Sequence, residues 1–208
     1  MQNVVVSATR ALRAARPSYH HGNLEQALTA SAIKLVRKNG PDHLSLRAVA
    51  ADVGVSPSAA YHYFPDKESL IQSIGNQLFA ELAQLEEKAV AVIQGSGVRA
   101  AKARFRAIGE VYFQWACKEP NLFRLMFGGF CSDKSRSHLN QPAYQLLQKT
   151  LDELVTVGAM SKKMRKYGEL LAWSTVQGAS TLIIEGHLPK EAFEQVLDGL
   201  ELSLGIGA

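Results

Sequence analysis

Apolar residues recur at intervals of three and four along most of the chain, and nowhere do they alternate with polar ones over the length of a strand. Helices are therefore predicted almost throughout. The first covers 23–39, with Leu28, Ala32, Leu35 and Val36 inward, and Asn23 with Gln26 forms a capping-box pattern at its start. Two short ones follow at 45–53 and 56–63, the former with Leu46, Val49, Ala50 and Val53 on one face. A long helix over 67–94 carries Leu70, Ile71, Ile74, Leu78, Leu82 and Leu85 and stops at Gly95-Ser96-Gly97. Then come 98–118, with Phe105, Ile108, Tyr112 and Trp115 inward, a short apolar helix at 121–127 after Pro120, and a further helix at 141–157. Two helices close the chain, 163–185 and, opened by Pro189, 189–204 with the stripe Phe193, Val196, Leu197, Leu200 and Leu204. There is no internal repeat, and the fold class is all-α. The punctuation predicts a flexible basic tail at 1–22, a small three-helix domain at 23–66 continuing into a linker helix at 67–94, and a larger helical domain at 98–208.

The stretch from Ser45 to Lys67 is the most specific in the chain. Ser45 suits an N-cap, Gly54 a turn that needs positive φ, and Ser56-Pro57 a second cap followed by a proline at the first helical position. The second short helix carries Ser58, Ala59, Tyr61, His62 and Tyr63 with no acid from Val53 to Pro65. Small residues allow close approach to base edges, and hydroxyls donate to phosphates. Charge agrees: residues 1–66 hold 7 Lys+Arg against 4 Asp+Glu, whereas 67–208 hold 16 against 15. The run Gly54, Val55, Ser56, Tyr61, Tyr63, Phe64 and Lys67 resembles the helix-turn-helix of the TetR family of bacterial transcription regulators. That resemblance implies an N-terminal three-helix DNA-binding domain, a larger ligand-binding and dimerisation domain, and a ligand-responsive repressor that binds a palindromic operator as a homodimer. On this reading Ser45, Ser56, Tyr61, Tyr63 and Lys67 hold phosphates. Pro57, Ser58 and Ala59 meet base edges, with His62 and Arg47 as further candidates.

The region after 98 is rich in aromatic residues: Phe105, Tyr112, Phe113, Trp115, Phe123, Phe127, Phe130 and Trp173, together with Cys117, Met126 and Cys131. Cavities for small apolar ligands are lined this way, with a few polar groups, and Glu110, Gln114 and Gln177 are the polar candidates. Residue by residue this set also reads as a well-filled core; for the region as a whole the TetR resemblance implies an effector pocket, with Phe105, Tyr112, Trp115, Cys117, Phe123, Met126, Phe127, Trp173 and Gln177 as the expected set, for an apolar or aromatic effector. The segments Pro120-Asn-Leu-Phe123-Arg-Leu-Met126-Phe127 and Trp173-Ser-Thr-Val-Gln177-Gly178 resemble a TetR subgroup marked by Trp, three residues and His-Gly, with Gln177 standing where the subgroup has His. Ser174, Gly178 and Leu182 repeat every four residues, which suits close approach of a partner helix. The two last helices are accordingly the expected homodimer seam.

No phosphate-binding glycine loop, zinc-protease motif or nucleophile elbow is present, and His138 and His187 stand alone, so no enzymatic role, metal site or cofactor is expected. Cys117 and Cys131 read as small core hydrophobes of a reduced, cytoplasmic protein, with a redox pair as the alternative. No segment is long and apolar enough to span a membrane. The tail, with Arg10, Arg13 and Arg16, reads as a solvated extension, a DNA-reaching arm or a transit-like segment. A reading in another class is a helical ligand-binding or adaptor protein whose helix-turn-helix contacts protein.

Overall fold

The computed structural model describes residues 21–128 and 141–206. The basic tail, Phe130, Cys131 and His138 lie outside the described residues. Nine α-helices are present among those described, joined by one single-turn 3-10 helix at Pro41–His43. Helix α1 (His21–Asn39) already runs at Asn23, so that residue lies inside the helix and is not its cap. Helices α2 (Leu46–Val53) and α3 (Pro57–Tyr63) follow. Leu28, Ala32 and Val36 of α1 meet Leu46, Val49 and Ala50 of α2, Ala60 of α3 and Phe64, all buried. Charged groups fix the same packing from outside. Asp52 accepts hydrogen bonds from Ser31 Oγ at 2.7 Å and from Lys34 Nζ at 2.9 Å, which tie α2 to α1.

Helix α4 (Lys67–Ala91) starts at a capping box between Asp66 and Ser69 and runs 25 residues, about 37 Å at helical rise. Its buried stripe is Leu70, Ile71, Ile74, Leu78, Phe79 and Leu82. It then continues to Glu86, not to Leu85, which is 44% exposed. Helices α5 (Val98–Lys118), α6 (Pro120–Phe127), α7 (Pro142–Thr156) and α8 (Lys162–Ile184) pack on or around α4 and on one another. Arg104 of α5 joins three of them. It donates to the Ile93 carbonyl at 2.8 Å, beyond the end of α4, and its Nε donates to Glu153 of α7 at 3.0 Å.

Helix α9 (Ala192–Ser203) starts three residues after Pro189. The Ala192 and Phe193 amides donate to the Pro189 and Lys190 carbonyls, so Pro189 opens a tight turn that precedes the helix. Its apolar stripe is not left for a partner. Phe193, Leu197, Leu200 and Leu204 are buried within the monomer, and Phe193 stacks on Phe113 of α5 with ring centroids 3.8 Å apart. Arg106 of α5 completes this packing by pairing with Glu194, Asp198 and Glu201 of α9 and with Glu110 of its own helix.

Candidate DNA interface and effector cavity

The helix-turn-helix is built locally as its sequence requires. The Ala48 amide donates to Ser45 Oγ at 3.2 Å and the Ala59 amide to Ser56 Oγ at 3.2 Å, so both serines cap their helices. Gly54 sits at φ 79°, where a side chain would be strained, and its amide closes the turn onto Ala50 and Ala51. Pro57 fills the first helical position of α3. The result is one open face. Ser45, Arg47, Ser56, Pro57, Ser58, Tyr61 and His62 are exposed. Ala59, Tyr63 and Lys67 are half-buried, and Ala59 and Tyr63 pack partly against the core. His62 meets Tyr63 edge to face at 5.4 Å. Because Ser45 and Ser56 already accept from backbone amides, each keeps only its hydroxyl proton for a phosphate.

A cavity lies in the larger domain, bounded by α4, α5, α7, α8 and α9. Its volume is ≈ 80 Å³, on the order of several waters or one small ring. Apolar side chains make most of the wall, including Phe79, Leu82, Phe105, Ile108, Leu147, Val176 and Leu197. Gln141, Tyr144, Trp173, Tyr112 and Glu86 supply its polar groups. The Tyr112 hydroxyl donates to Gln177 Oε1, and burial pushes its phenol well above the ordinary value.

Of the expected effector set, Phe105, Tyr112 and Trp173 line this cavity. Trp115, Cys117, Phe123, Met126, Phe127 and Gln177 are not among its lining residues. The physical reason is layering. Phe123 and Phe127 of α6 lie behind the wall, with ring centroids 6.2 and 6.3 Å from Tyr112, and Phe127 also meets Phe79 edge-on at 5.9 Å. Gln177 acts one step removed, through Tyr112. Glu110 pairs with Arg106, and Gln114 is exposed, so neither supplies a polar group to the cavity. Burial raises the pKa of the Cys117 thiol, which keeps it protonated and favours its reading as a core residue.

Glu86 was not expected here. It is 4% exposed, and burial followed by the charge of Glu87 pushes its carboxyl up to about 8. The signal was present in the chain: Leu78, Leu82 and Glu86 are spaced four apart, which places the acid on the buried stripe.

Two elements connect the cavity with the helix-turn-helix. Helix α4 carries Lys67 at one end and Phe79, Leu82 and Glu86 in the cavity wall. Helix α6 bridges the two domains. Arg37 Nε of α1 donates to Glu119 at 2.8 Å, Asn121 Nδ2 donates to the Arg37 carbonyl at 3.1 Å, and Arg124 Nε donates to Glu185 beyond α8 at 2.9 Å.

Fold and site together define a helix-turn-helix DNA-binding protein with an internal apolar cavity in its second domain. Residues 28–74 match the family described as "Bacterial regulatory proteins, tetR family", and residues 105–200 match "Tetracyclin repressor-like, C-terminal domain". The chain belongs to the TetR family of DNA-binding transcriptional regulators. Among relatives, the nicotine-responsive transcriptional repressor HdnoR of Paenarthrobacter nicotinovorans is 26% identical over 164 residues, spanning 77% of this chain and 79% of that one. A protein of unknown function from Rhodococcus sp. RHA1 superposes with a TM-score of 0.68 at 27% identity, covering 92% of this chain and 98% of that one. Thermus thermophilus FadR, a TetR-family repressor in complex with lauroyl-CoA, shares the fold at a TM-score of 0.62 and 21% identity, covering 88% and 94%.

Proposed function

We propose that this regulator binds a palindromic operator as a two-fold homodimer in the cytoplasm and is released by a small, largely apolar effector held in the cavity. The observation that carries the reading is α4, a single helix that begins at the DNA face and walls the cavity. An effector that fits the cavity better in one setting of α4 than another changes the separation of two recognition helices, and operator affinity falls by the same differential free energy. The nicotine-responsive name of the relative supports a small-molecule effector. Ser45, Ser56, Tyr61, Tyr63 and Lys67 hold phosphates in this scheme. Pro57, Ser58, Ala59, His62 and Arg47 face base edges, and residues 23–66 act as the DNA-binding unit carried by the domain from 98 onward.

The dimer seam uses the outward face of α8, with α9 beside it. Leu170, Ser174 and Leu182 are exposed, and Gly178 faces open space. On α9 Leu202 is 69% exposed. An apolar stripe broken by small residues suits a second copy of the same surface. No helix of the described residues is long and apolar enough to cross a membrane.

The test is selection of bound sequences from random duplex DNA at two salt concentrations. A palindrome with half-sites about 34–36 Å apart, or a multiple, and steep weakening with salt is expected. Absence of any enriched sequence at low salt would sink the reading in favour of a protein-contacting adaptor.

A further inference from the structure

Glu86 has no evident structural task. It lines the cavity beside Leu82 and Tyr112, it is 4% exposed, and its Oε2 has no hydrogen-bond partner. Among the described lining residues there is no Lys, Arg or His. The groups that share the cavity with it from the packed helices are the Tyr112 phenol on α5, the Tyr144 phenol on α7 and the Trp173 indole on α8. The Tyr112 hydroxyl is already committed to Gln177. The charge felt from its own helix is Glu87, of the same sign. A carboxyl in apolar surroundings with an open oxygen is costly in the empty protein, and that cost is recovered best by a group that brings positive charge and donors.

We propose that the effector is a small aromatic or apolar amine whose protonated nitrogen pairs with Glu86 while its hydrocarbon part fills the space between Phe105, Leu82 and Trp173. The proposal rests on the reading of this cavity as the effector site. With Glu86 protonated in the empty cavity, an alcohol or a carboxylate can only exchange hydrogen bonds with it, whereas an ammonium adds an ion pair in low dielectric once the proton leaves.

The proton balance follows from the chemistry. At pH 7 Glu86 carries its proton, because its carboxyl titrates near 8. Binding of an ammonium ion R–NH3+ forms the pair R–NH3+ with the Glu86 carboxylate and releases the Glu86 proton to the buffer. Affinity for the amine therefore rises with pH up to about 8 and falls again where the free amine loses its own proton.

The experiment uses three matched one-ring probes, benzylamine, benzyl alcohol and benzoate, titrated calorimetrically into the full chain and into Glu86→Gln, with melting temperatures alongside. Benzylamine is expected to bind at least about tenfold tighter than benzyl alcohol, and Glu86→Gln to erase most of that preference while keeping the alcohol bound. Repeating the benzylamine titration at pH 7 in buffers of different ionisation enthalpy reads the released proton on the unsubstituted protein, so the assignment does not depend on the variant. An amine preference that survives Glu86→Gln, benzoate or alcohol binding as tightly as the amine, or amine binding without proton release overturns the assignment and leaves the cavity reading intact. No heat and no melting shift with all three probes overturns the cavity reading, and the assignment with it.

Discussion

Tyr61 is nearly half exposed and lies one turn after Pro57, while Lys67 opens the next helix. Replacing either with Ala should weaken operator and non-operator duplexes alike and lower the slope of log affinity against log salt by about 1, read by fluorescence anisotropy at several salt concentrations. Changing Ser58 should instead alter the preferred sequence at one position of each half-site. Gly54→Ala tests the turn itself: with φ at 79°, a Cβ should cost about 1–2 kcal/mol in urea unfolding, although nothing lies near enough to clash. Glu86 makes a prediction of opposite kind. Its folded pKa, about 8, lies above the ordinary 4.5, so the unfolded chain loses the proton first. Its contribution is fully present below pH 4.5 and is lost as the pH climbs to about 8, after which it is level. Glu86→Gln should abolish that decline and leave the ligand-free protein more stable at pH 8, on the order of a few kcal/mol.

At the scale of elements, most of the helices were legible because each carries its own punctuation. Gly97 precedes α5, Lys118 ends it, and Pro120 bars its continuation, bounds that follow from chain chemistry; α6 starts at Pro120 itself, one residue before the expected 121. What was not legible depends on which neighbour a face meets. The stripe of α9 looks the same whether it turns to α5 and α8 or to another molecule, and only packing decides. Likewise the aromatic residues of α5 and α6 form one apolar set in the sequence, yet Tyr112 separates those that line the cavity from those behind it. Leu85 misled because it is apolar, whereas the helical repeat had already passed to Glu86. The HTH face was legible because caps, turn glycine and proline are local devices. Arg106 gives an element-scale test. It is the cation shared by Glu110, Glu194, Asp198 and Glu201, so Arg106→Ala leaves four acids facing one another. A loss of about 2 kcal/mol, smaller at low pH where the acids are protonated, is expected from denaturant unfolding.

For the whole molecule, two tests separate assembly from signalling. Leu170 is 70% exposed, so Leu170→Glu should leave the monomer folded with little change in stability. Light scattering after gel filtration should then show a monomer, and operator binding should fall steeply because each half-site must be held alone. The bridge through α6 gives the second. Asn121→Ala removes its hydrogen bond to the Arg37 carbonyl, and Glu119→Gln discharges the partner of Arg37. The pair should shrink the effect of effector on DNA affinity while leaving each separate affinity near its original value, measured as a coupling free energy.

The cavity with its unpartnered acid is also a weak point in the core, and a bound molecule repairs it. Anything that occupies the folded form and not the unfolded one raises stability in proportion to the logarithm of its concentration over its dissociation constant. Operator DNA also holds only the folded form, so in the proposed scheme the copies that carry neither operator nor effector are the ones that proteases reach soonest. Under the proposed function, occupancy of one small cavity would set not only how much of the regulator is active but how long a copy lasts once it has left DNA.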